Sequence, residues 1–238
     1  MKKVLAIILA VCAAAVLLGA CGSANVDSKE EEIVFVPWNP TDKGPLVTIT
    51  MKDGGVIKAE LCPEKAPNTV NNFISLANSG YFEGKVFHRA VAGFMIQGGS
   101  PTGDGQSIGF PYSIKGEFVG NGFAQNDMKH SRGVLSMART NMPDSAGCQF
   151  FIMHGDAPHL DGAYAAFGKV TSGMDVVDKI ATSRVNGDSL VKPPAIQSVT
   201  VDLNGYEFSE PETIPEQQPS TSPWGSTTGK KTNQTKGQ

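Results

Sequence analysis

The sequence predicts an all-β-dominated domain, an eight-stranded antiparallel closed barrel with two α-helices, and three observations lead to this fold class. Eight short runs of apolar residues have the length and composition of strands, whereas helical periodicity is confined to two segments. About 160 of the 238 residues, from 46 to 205, remain once the unusual ends are set aside, which suits one domain with a single core. Eight strands with little helix favour closure, because a closed barrel has no exposed sheet edge.

The N-terminal residues 1–20 are typical of a secretion signal. Lys2 and Lys3 precede an unbroken apolar stretch over residues 4–18, which is short for a permanent membrane helix. The stretch ends in Leu18-Gly19-Ala20-Cys21, which resembles the lipobox of bacterial lipoproteins. That resemblance implies acylation of Cys21 and anchoring of the mature protein to the cell membrane, facing outside the cytoplasm. The alternative is an ordinary signal peptide with a chance cysteine.

The two polar segments that flank the domain predict a tether and a tail. Residues 21–45 contain Ser, Asn and the acidic run 30–32, and we interpret them as a lipid-anchored tether. Within the tether, the sequence leaves open whether residues 33–36 add a strand to the domain. Residues 206–238 are rich in Pro, Ser, Thr, Gln, Gly and Lys, a composition that buries too little apolar surface to become ordered. We expect them to form a disordered tail.

The domain begins with a predicted β-hairpin. Its strands are Leu46–Met51 and Val56–Leu61, and Lys52-Asp53-Gly54-Gly55 supplies the positive φ angle of a tight turn. The first helix opens at residues 67–69 and the second carries a shorter apolar face. Apolar residues at helical spacing are Val70, Phe73, Ile74 and Ala77 in the first helix, before Gly80, and Met174, Val177, Ile180 and Ala181 in the second. The other predicted strands are Val86–Arg89, Phe94–Gln97, Gly133–Ala138, Gln149–Met153, Ala166–Val170 and Ile196–Leu203.

Three of these strands carry a long polar residue among large apolar ones. Arg89 and Gln97 stand among large apolar residues that alternate with a period of two, and Gln149 precedes two phenylalanines. Guanidinium and amide groups do not favour a core made only for packing, because buried polar groups cost free energy unless they are hydrogen-bonded. The pattern therefore predicts a partly apolar pocket with a few fixed hydrogen-bonding groups.

Five motifs along the domain resemble those of cyclophilins, in the order of that family. They are Phe87-His88-Arg89, Gly93-Phe94-Met95-Ile96-Gln97-Gly98-Gly99, Leu135-Ser136-Met137-Ala138, Gln149-Phe150-Phe151-Ile152 and Leu160-Asp161-Gly162. The resemblance extends from about residue 46 to 203, and the chain resembles the bacterial members of the family. It implies a barrel capped at each end by a helix and peptidyl-prolyl cis-trans isomerase activity on Xaa-Pro bonds. With the signal, it suggests a folding helper for exported polypeptides.

The resemblance also implies a role for each pocket residue. Arg89 would be catalytic, donating hydrogen bonds to the prolyl nitrogen, and Gln97 would bind the carbonyl side. A slot for the proline ring would be lined by Phe94, Met95, Phe151 and Leu160, with backbone contacts from Ala138 and Arg139 and a polar edge from Gln149. The four apolar residues also suit a plain core. A core role for Arg89 would require a carboxylate partner, which the neighbouring sequence does not offer.

Three positions depart from the best-known eukaryotic pattern. His159 replaces a tryptophan, Arg139 an asparagine and Tyr164 a histidine. The tryptophan provides an N–H donor and a large apolar face, so its replacement predicts weak binding of cyclosporin. Tyr164 still offers an aromatic wall with a polar tip. We expect catalysis to survive these changes. Between strands, residues 100–132 form a long excursion over the pocket mouth, where we expect substrate preference to be set.

Charge and chemistry narrow the partners. Loss of Lys2 and Lys3 with the signal changes the formal charge from −3 to −5, and no basic stripe is present to bind nucleic acid. We expect the protein to be a monomer that acts on proline-containing polypeptides. We expect no metal or cofactor, because rotation about an amide breaks no bond. A disulfide between Cys62 and Cys148 is conceivable in an exported protein.

Parts of the sequence suggest four other functions. A metal site drawn from His154, Asp156, His159 and Asp161 has no usual zinc spacing. A thiol hydrolase using Cys148 with His154 and Asp156 lacks a feature that lowers the cysteine pKa. The glycines of Gly103-Asp104-Gly105 do not lie between a strand and a helix, as a nucleotide-binding loop requires. The remaining competitor is a binding module that holds proline-containing segments without turnover.

Overall fold

The computed structural model describes residues 33–107 and 110–215. The predicted signal peptide, Cys21, the first part of the tether and residues 216–238 of the predicted tail lie outside the described residues. The helices are α1 (Pro67–Asn78) and α2 (Met174–Ala181). The strands are β1 (Leu46–Met51), β2 (Val56–Leu61), β3 (Phe87–Val91), β4 (Met95–Gly98), β5 (Tyr112–Ser113), β6 (Val134–Met137), β7 (Phe150–Met153), β8 (Ala166–Ser172), β9 (Val185–Asn186), β10 (Ser189–Leu190), β11 (Ile196–Asp202) and β12 (Ile214–Pro215).

All eight predicted strands are present, with ends that differ from the predicted ones by at most two residues, and they pair antiparallel in one sheet. The sheet has ten strands in the order β11-β1-β2-β8-β6-β7-β4-β3-β10-β9. The closed eight-stranded barrel is not confirmed, because this ladder of hydrogen-bonded strands has two ends. An isolated antiparallel bridge joins Val86 to Ala195, just before β3 and β11. The four additional strands have only two residues each, too few for a periodic pattern in the sequence.

Both predicted helices form, and each buries its apolar stripe. The α1 face packs beside β11, and Phe73 contacts three other aromatic rings of the core with centroid distances of 5.0–5.4 Å. The α2 helix packs near β2, β3 and β4. No side chain of the helix caps the α1 N-terminus. Instead, the Glu117 carboxylate accepts the backbone N–H groups of Asn68 (3.0 Å) and Thr69 (2.7 Å). The long excursion therefore closes the helix end that carries partial positive charge.

Part of the predicted tether packs on the domain through one carboxylate. Glu60 is fully buried, and its oxygens accept the backbone N–H groups of residues 41–44 at 2.7–3.3 Å and the Thr41 hydroxyl at 3.0 Å. These donors lower the Glu60 pKa although burial alone would raise it. Residues 33–36 add only one parallel bridge, between Val36 and Met128. The ordered domain thus begins before residue 46.

The first ten residues of the predicted tail also pack on the domain. Asn68 exchanges two hydrogen bonds with the backbone of Glu212, and Tyr206 donates its hydroxyl to Asn71. The segment ends as β12, which pairs with β5. These contacts correct the prediction of disorder for residues 206–215. Side-chain amides on the outer face of α1 provide the partners that composition alone does not reveal.

Two further observations concern the described ranges alone. None of their helices is long and apolar enough to cross a membrane. Cys62 and Cys148 are both buried free thiols, so the conceivable disulfide is not formed.

Candidate active site

A cavity of about 360 Å³ opens beside the row of strands β3, β4, β7 and β6. Its lining comprises Arg89, Phe94, Met95, Gln97, Ala138, Arg139, Phe151, His159, Leu160 and Tyr164. The structure thus brings ten of the eleven predicted pocket residues together. The eleventh, Gln149, lines an adjoining cavity of about 170 Å³ that shares Gln97, Ala138 and Arg139 with the first.

Strand register explains why residues so far apart in sequence meet here. Arg89 of β3 is opposite Gln97 of β4, Gln97 is opposite Phe151 of β7, and Phe151 is opposite Ser136 of β6. Residues opposite one another in an antiparallel pair present their side chains to the same face. One row across four strands therefore supplies the guanidinium, an amide and an aromatic ring.

The Arg89 guanidinium is held by two partners. Its Nε and Nη2 atoms donate to one carboxylate oxygen of Asp188 at 3.2 and 2.9 Å, and its Nη1 donates to Gln97 Oε1 at 3.3 Å. The Arg89 side chain is 38% exposed, so it borders the cavity and remains hydrated. The expectation that no carboxylate is at hand holds only for the neighbouring sequence, because Asp188 arrives from 99 residues away.

The two glutamines continue this chain of hydrogen bonds with a fixed polarity. A guanidinium has donors only, so Gln97 must turn its oxygen toward Arg89. Its Nε2 then donates to Gln149 Oε1 at 3.0 Å, and Gln149 Nε2 donates to Gly105 O (2.9 Å) and Ser107 Oγ (2.8 Å). The long excursion is thereby tied to the polar edge of the cavity. Gln97 retains a second N–H that no described residue accepts.

Other residues that line the cavity are apolar, and three of them are almost fully buried. Met95, Phe151 and Leu160 are only 2, 5 and 7% exposed, and they belong to a hydrophobic cluster distinct from the main core. Phe94 and Tyr164 pack at the edge of this cluster, and Tyr164 meets Phe151 edge to face at 5.9 Å. His159 stacks on Phe94 with a centroid distance of 5.6 Å. These side chains thus serve packing and also line the cavity.

Arg139 has a side-chain role that sequence reasoning missed. Its guanidinium lies between the rings of Phe118 and Tyr164, at 5.0 and 4.6 Å from their centroids. It also donates to the backbone oxygens of Ala163 (3.0 and 2.8 Å) and Thr140 (2.8 Å). The resemblance assigned only backbone contacts to this position. The structure shows a cation that fixes the Tyr164 wall.

A second hydrogen-bonded group packs against Phe151, which lines the cavity. The ring of His130 stacks on Phe151, and its nitrogens lie 3.1 Å from Asp161 Oδ1 and 3.0 Å from Ser136 Oγ. Burial lowers the His130 pKa more than the Asp161 carboxylate raises it. This set has the composition of a hydrolytic triad, but Ser136 is fully buried and no substrate carbonyl can reach it.

The alternative sites drawn from the sequence do not assemble. Asp156 accepts the Arg132 backbone N–H, Asp161 binds His130, and His154 lies beside Asp178 and accepts the Gly93 N–H. Within the described ranges no three His, Cys, Asp or Glu residues are arranged to hold a metal ion. Burial raises the Cys148 pKa, which disfavours the thiolate that a hydrolase needs.

Comparisons of this chain with known proteins all indicate one family. The family model described as cyclophilin type peptidyl-prolyl cis-trans isomerase matches residues 46–201. Peptidyl-prolyl cis-trans isomerase B of Bacillus subtilis is 46% identical over 58% of this chain and 89% of its own length. Peptidyl-prolyl cis-trans isomerase-like 3 of Gallus gallus is 41% identical over 65% of this chain and 94% of its own.

A solved structure resembles the fold as well. The crystal structure of a cyclophilin type peptidyl-prolyl cis-trans isomerase from Cryptosporidium parvum, determined in the presence of the dipeptide Ala-Pro, has a TM-score of 0.58 and 29% identity. The match covers 66% of this chain and 98% of that structure.

Proposed function

The chain belongs to the cyclophilin-type peptidyl-prolyl cis-trans isomerases and is an isomerase enzyme, and we propose that it works by stabilising a twisted Xaa-Pro amide with the Arg89 guanidinium. Rotation about a peptide bond faces a barrier of about 18–20 kcal/mol, because the amide is conjugated. Conjugation is lost at the midpoint of the rotation, and the prolyl nitrogen gains a free lone pair. A group that binds this state better than either planar isomer accelerates the reaction without covalent chemistry.

Arg89 has the geometry for this task. A guanidinium carries five N–H groups, and Asp188 and Gln97 accept three from Arg89 in the described structure. The two others are available to a nitrogen lone pair in the cavity. Charge-assisted hydrogen bonds contribute roughly 1.5–3 kcal/mol, or about one to two powers of ten in rate. The rest of the acceleration must come from holding the substrate.

Two sets of residues that line the cavity would bind different parts of the substrate. We assign the proline ring to the apolar wall of Phe94, Met95, Phe151 and Leu160, whose burial of apolar area would favour binding. The unassigned N–H of Gln97 is suited to the carbonyl oxygen on the other side of the rotating bond. Fixing both ends leaves the amide as the part that turns. The observation that carries the proposal is that one cavity is lined both by the Arg89 guanidinium and by these four apolar side chains.

The test compares wild type with Arg89→Ala in a protease-coupled isomerisation assay on a proline-containing peptide. We expect kcat/KM to fall by roughly ten- to a hundredfold, the worth of one charge-assisted hydrogen bond. The unfolding free energy should change by less than about 0.5 kcal/mol, since exposed ion pairs contribute little. Equal activity of the two proteins would remove Arg89 from the mechanism. A wild type no faster than spontaneous isomerisation would favour the binding module.

We propose in addition that the enzyme assists folding of exported polypeptides from a lipid anchor on Cys21. Support comes from the sequence alone, namely the apolar stretch after Lys2 and Lys3 and the motif that ends in Cys21. Intact-mass spectrometry of the full chain expressed in a bacterium should show a mature protein that begins at acylated Cys21. Cys21→Ser should remove the acyl mass and release the protein from the membrane fraction. A wild-type protein without lipid would contradict the anchor while leaving the isomerase activity untouched.

A further inference from the structure

A short hairpin outside the five family motifs brings a carboxylate to the arginine proposed as catalytic. Strands β9 and β10 have two residues each, and Asp188 lies in the turn between them. Ser189 is paired in register with Arg89, and the backbone oxygen of Asp188 accepts the Ala90 N–H at 2.9 Å. The main chain around Asp188 is therefore fastened to the strand that carries Arg89. The carboxylate position is set by backbone pairing rather than by a loose surface contact.

The contacts of the guanidinium show which of its edges faces the substrate. Asp188 Oδ2 accepts from Nε and Nη2, which lie along one edge, and Gln97 Oε1 accepts from Nη1. The partners thus hold the group at two separate points. A planar group held at two points cannot rotate about its Cδ–Nε bond without breaking a hydrogen bond. The two unassigned N–H groups keep a constant direction as a result.

We propose that Asp188 is a positioning residue of the isomerase, which acts through Arg89 and does not touch the substrate. This inference rests on the proposed role of Arg89. The Asp188 side chain is 55% exposed and that of Arg89 is 38% exposed, so solvent screens the attraction and little folding stability is at stake. For the same reason, the carboxylate does not cancel the charge of Arg89 toward a desolvated prolyl nitrogen. Its contribution is the orientation of a side chain that otherwise samples many rotamers.

The test measures kcat and KM separately for Asp188→Ala and Asp188→Asn. We expect kcat of Asp188→Ala to fall roughly three- to tenfold with KM within about twofold, because orientation matters only when the amide is twisted. Asp188→Asn keeps one acceptor oxygen and should lie between Asp188→Ala and wild type. Asp53→Ala is the matched control: Asp53 is 49% exposed and pairs with Lys179 at 2.7 Å in another hairpin turn. It should leave kcat and KM unchanged.

A spectroscopic signature separates orientation from a general loss of structure. In ¹H–¹⁵N spectra, the Arg89 Nε–H should exchange slowly with solvent in wild type and rapidly in Asp188→Ala. Arg139, whose contacts do not involve Asp188, supplies an internal reference signal that should not change.

The outcomes are distinct for the two proposals. If Arg89→Ala loses activity while Asp188→Ala keeps wild-type kcat or the slow Arg89 signal, Asp188 has no positioning role and the mechanism stands. If Arg89→Ala keeps full activity, the mechanism itself fails. If Asp188→Ala does not fold, Asp188→Asn decides. A wild-type kcat together with rapid exchange of the Arg89 Nε–H overturns the inference. A change in KM without a change in kcat overturns it as well.

Discussion

Two arginines, Arg89 and Arg139, line the same cavity, and they differ in the groups that hold them. Arg89 is held by side chains, Asp188 and Gln97, and faces the open space of the cavity. Arg139 is held by backbone oxygens, and its guanidinium lies over the rings of Phe118 and Tyr164 at 5.0 and 4.6 Å from their centroids. Both carry the same charge and the same five N–H groups. We expect the partners of an arginine, more than its presence in a pocket, to decide whether it contacts the substrate or fixes a wall of the pocket.

The largest effect should come from changing the shape of the Arg89 head while keeping its charge. Arg89→Lys replaces the planar fork with a point charge that cannot bind Asp188, Gln97 and the prolyl nitrogen together. We expect kcat to fall by about tenfold or more with the unfolding free energy unchanged, as measured by coupled assay and urea titration. Arg139→Lys serves as the comparison variant. Full activity of Arg89→Lys would mean that charge alone suffices.

A second effect, on stability rather than on chemistry, should follow from Arg139→Ala. This change removes the cation between Phe118 and Tyr164 together with three hydrogen bonds. We expect a loss of about 1–3 kcal/mol in unfolding free energy. The KM should rise severalfold because Tyr164 is no longer fixed, whereas kcat stays near that of wild type. A kcat loss as large as that of Arg89→Ala would place both arginines in the same role and break the comparison.

A third effect tests the apolar wall near both arginines. His159 stacks on Phe94, where a tryptophan would supply a larger face and an N–H donor. We expect His159→Trp to tighten cyclosporin binding by about tenfold, measured by inhibition of the isomerase. His159→Phe, which adds apolar face without the donor, should give a smaller gain. Tight inhibition of the wild type would contradict the prediction that His159 weakens binding.

The smallest effect concerns the electrostatic reach of Arg89. His88 is 6% exposed, and its pKa lies below 6.5 mainly because of burial and also because of the adjacent Arg89 charge. Arg89→Ala should therefore raise the His88 pKa, and Arg139→Ala should leave it unchanged, as followed by NMR titration. A pKa lowered on folding stabilises the protein above pH 6.5, and this stability is lost as the pH falls. The loss on acidification should be smaller in Arg89→Ala.

Long periodic segments made most of the fold predictable from the sequence. The eight strands and two helices all repeat apolar residues over four or more positions, and such repeats report which face is buried. Strands of two residues, such as β9 and β10, carry no period. The hairpin that presents Asp188 was therefore missed. Closure was also inferred from strand number, but strand number does not fix which edges share hydrogen bonds.

The same distinction holds for the site. Arg89 and Gln97 stood out as long polar residues among apolar ones, Phe151 was assigned by resemblance, and strand register places the three in one row. Asp188, and the ring of Phe118 that covers Arg139, break no pattern and gave no signal. Glu60 and Glu117 also carry no signal of burial in the sequence, yet each is buried and accepts backbone N–H groups. The ordered ends of the domain depend on such contacts, so composition misplaced them.

The amino-acid order by itself determined which segments become strands and helices and the family to which the chain belongs. These properties follow from short-range periodicity and from motifs whose residues are near one another in the chain. Only the tertiary structure decided the partners of each charged group: Asp188 for Arg89, two rings for Arg139, and backbone amides for Glu60. Hydrogen bonds and ion pairs act over a few ångströms in space, whatever the separation along the chain, and no local pattern records them.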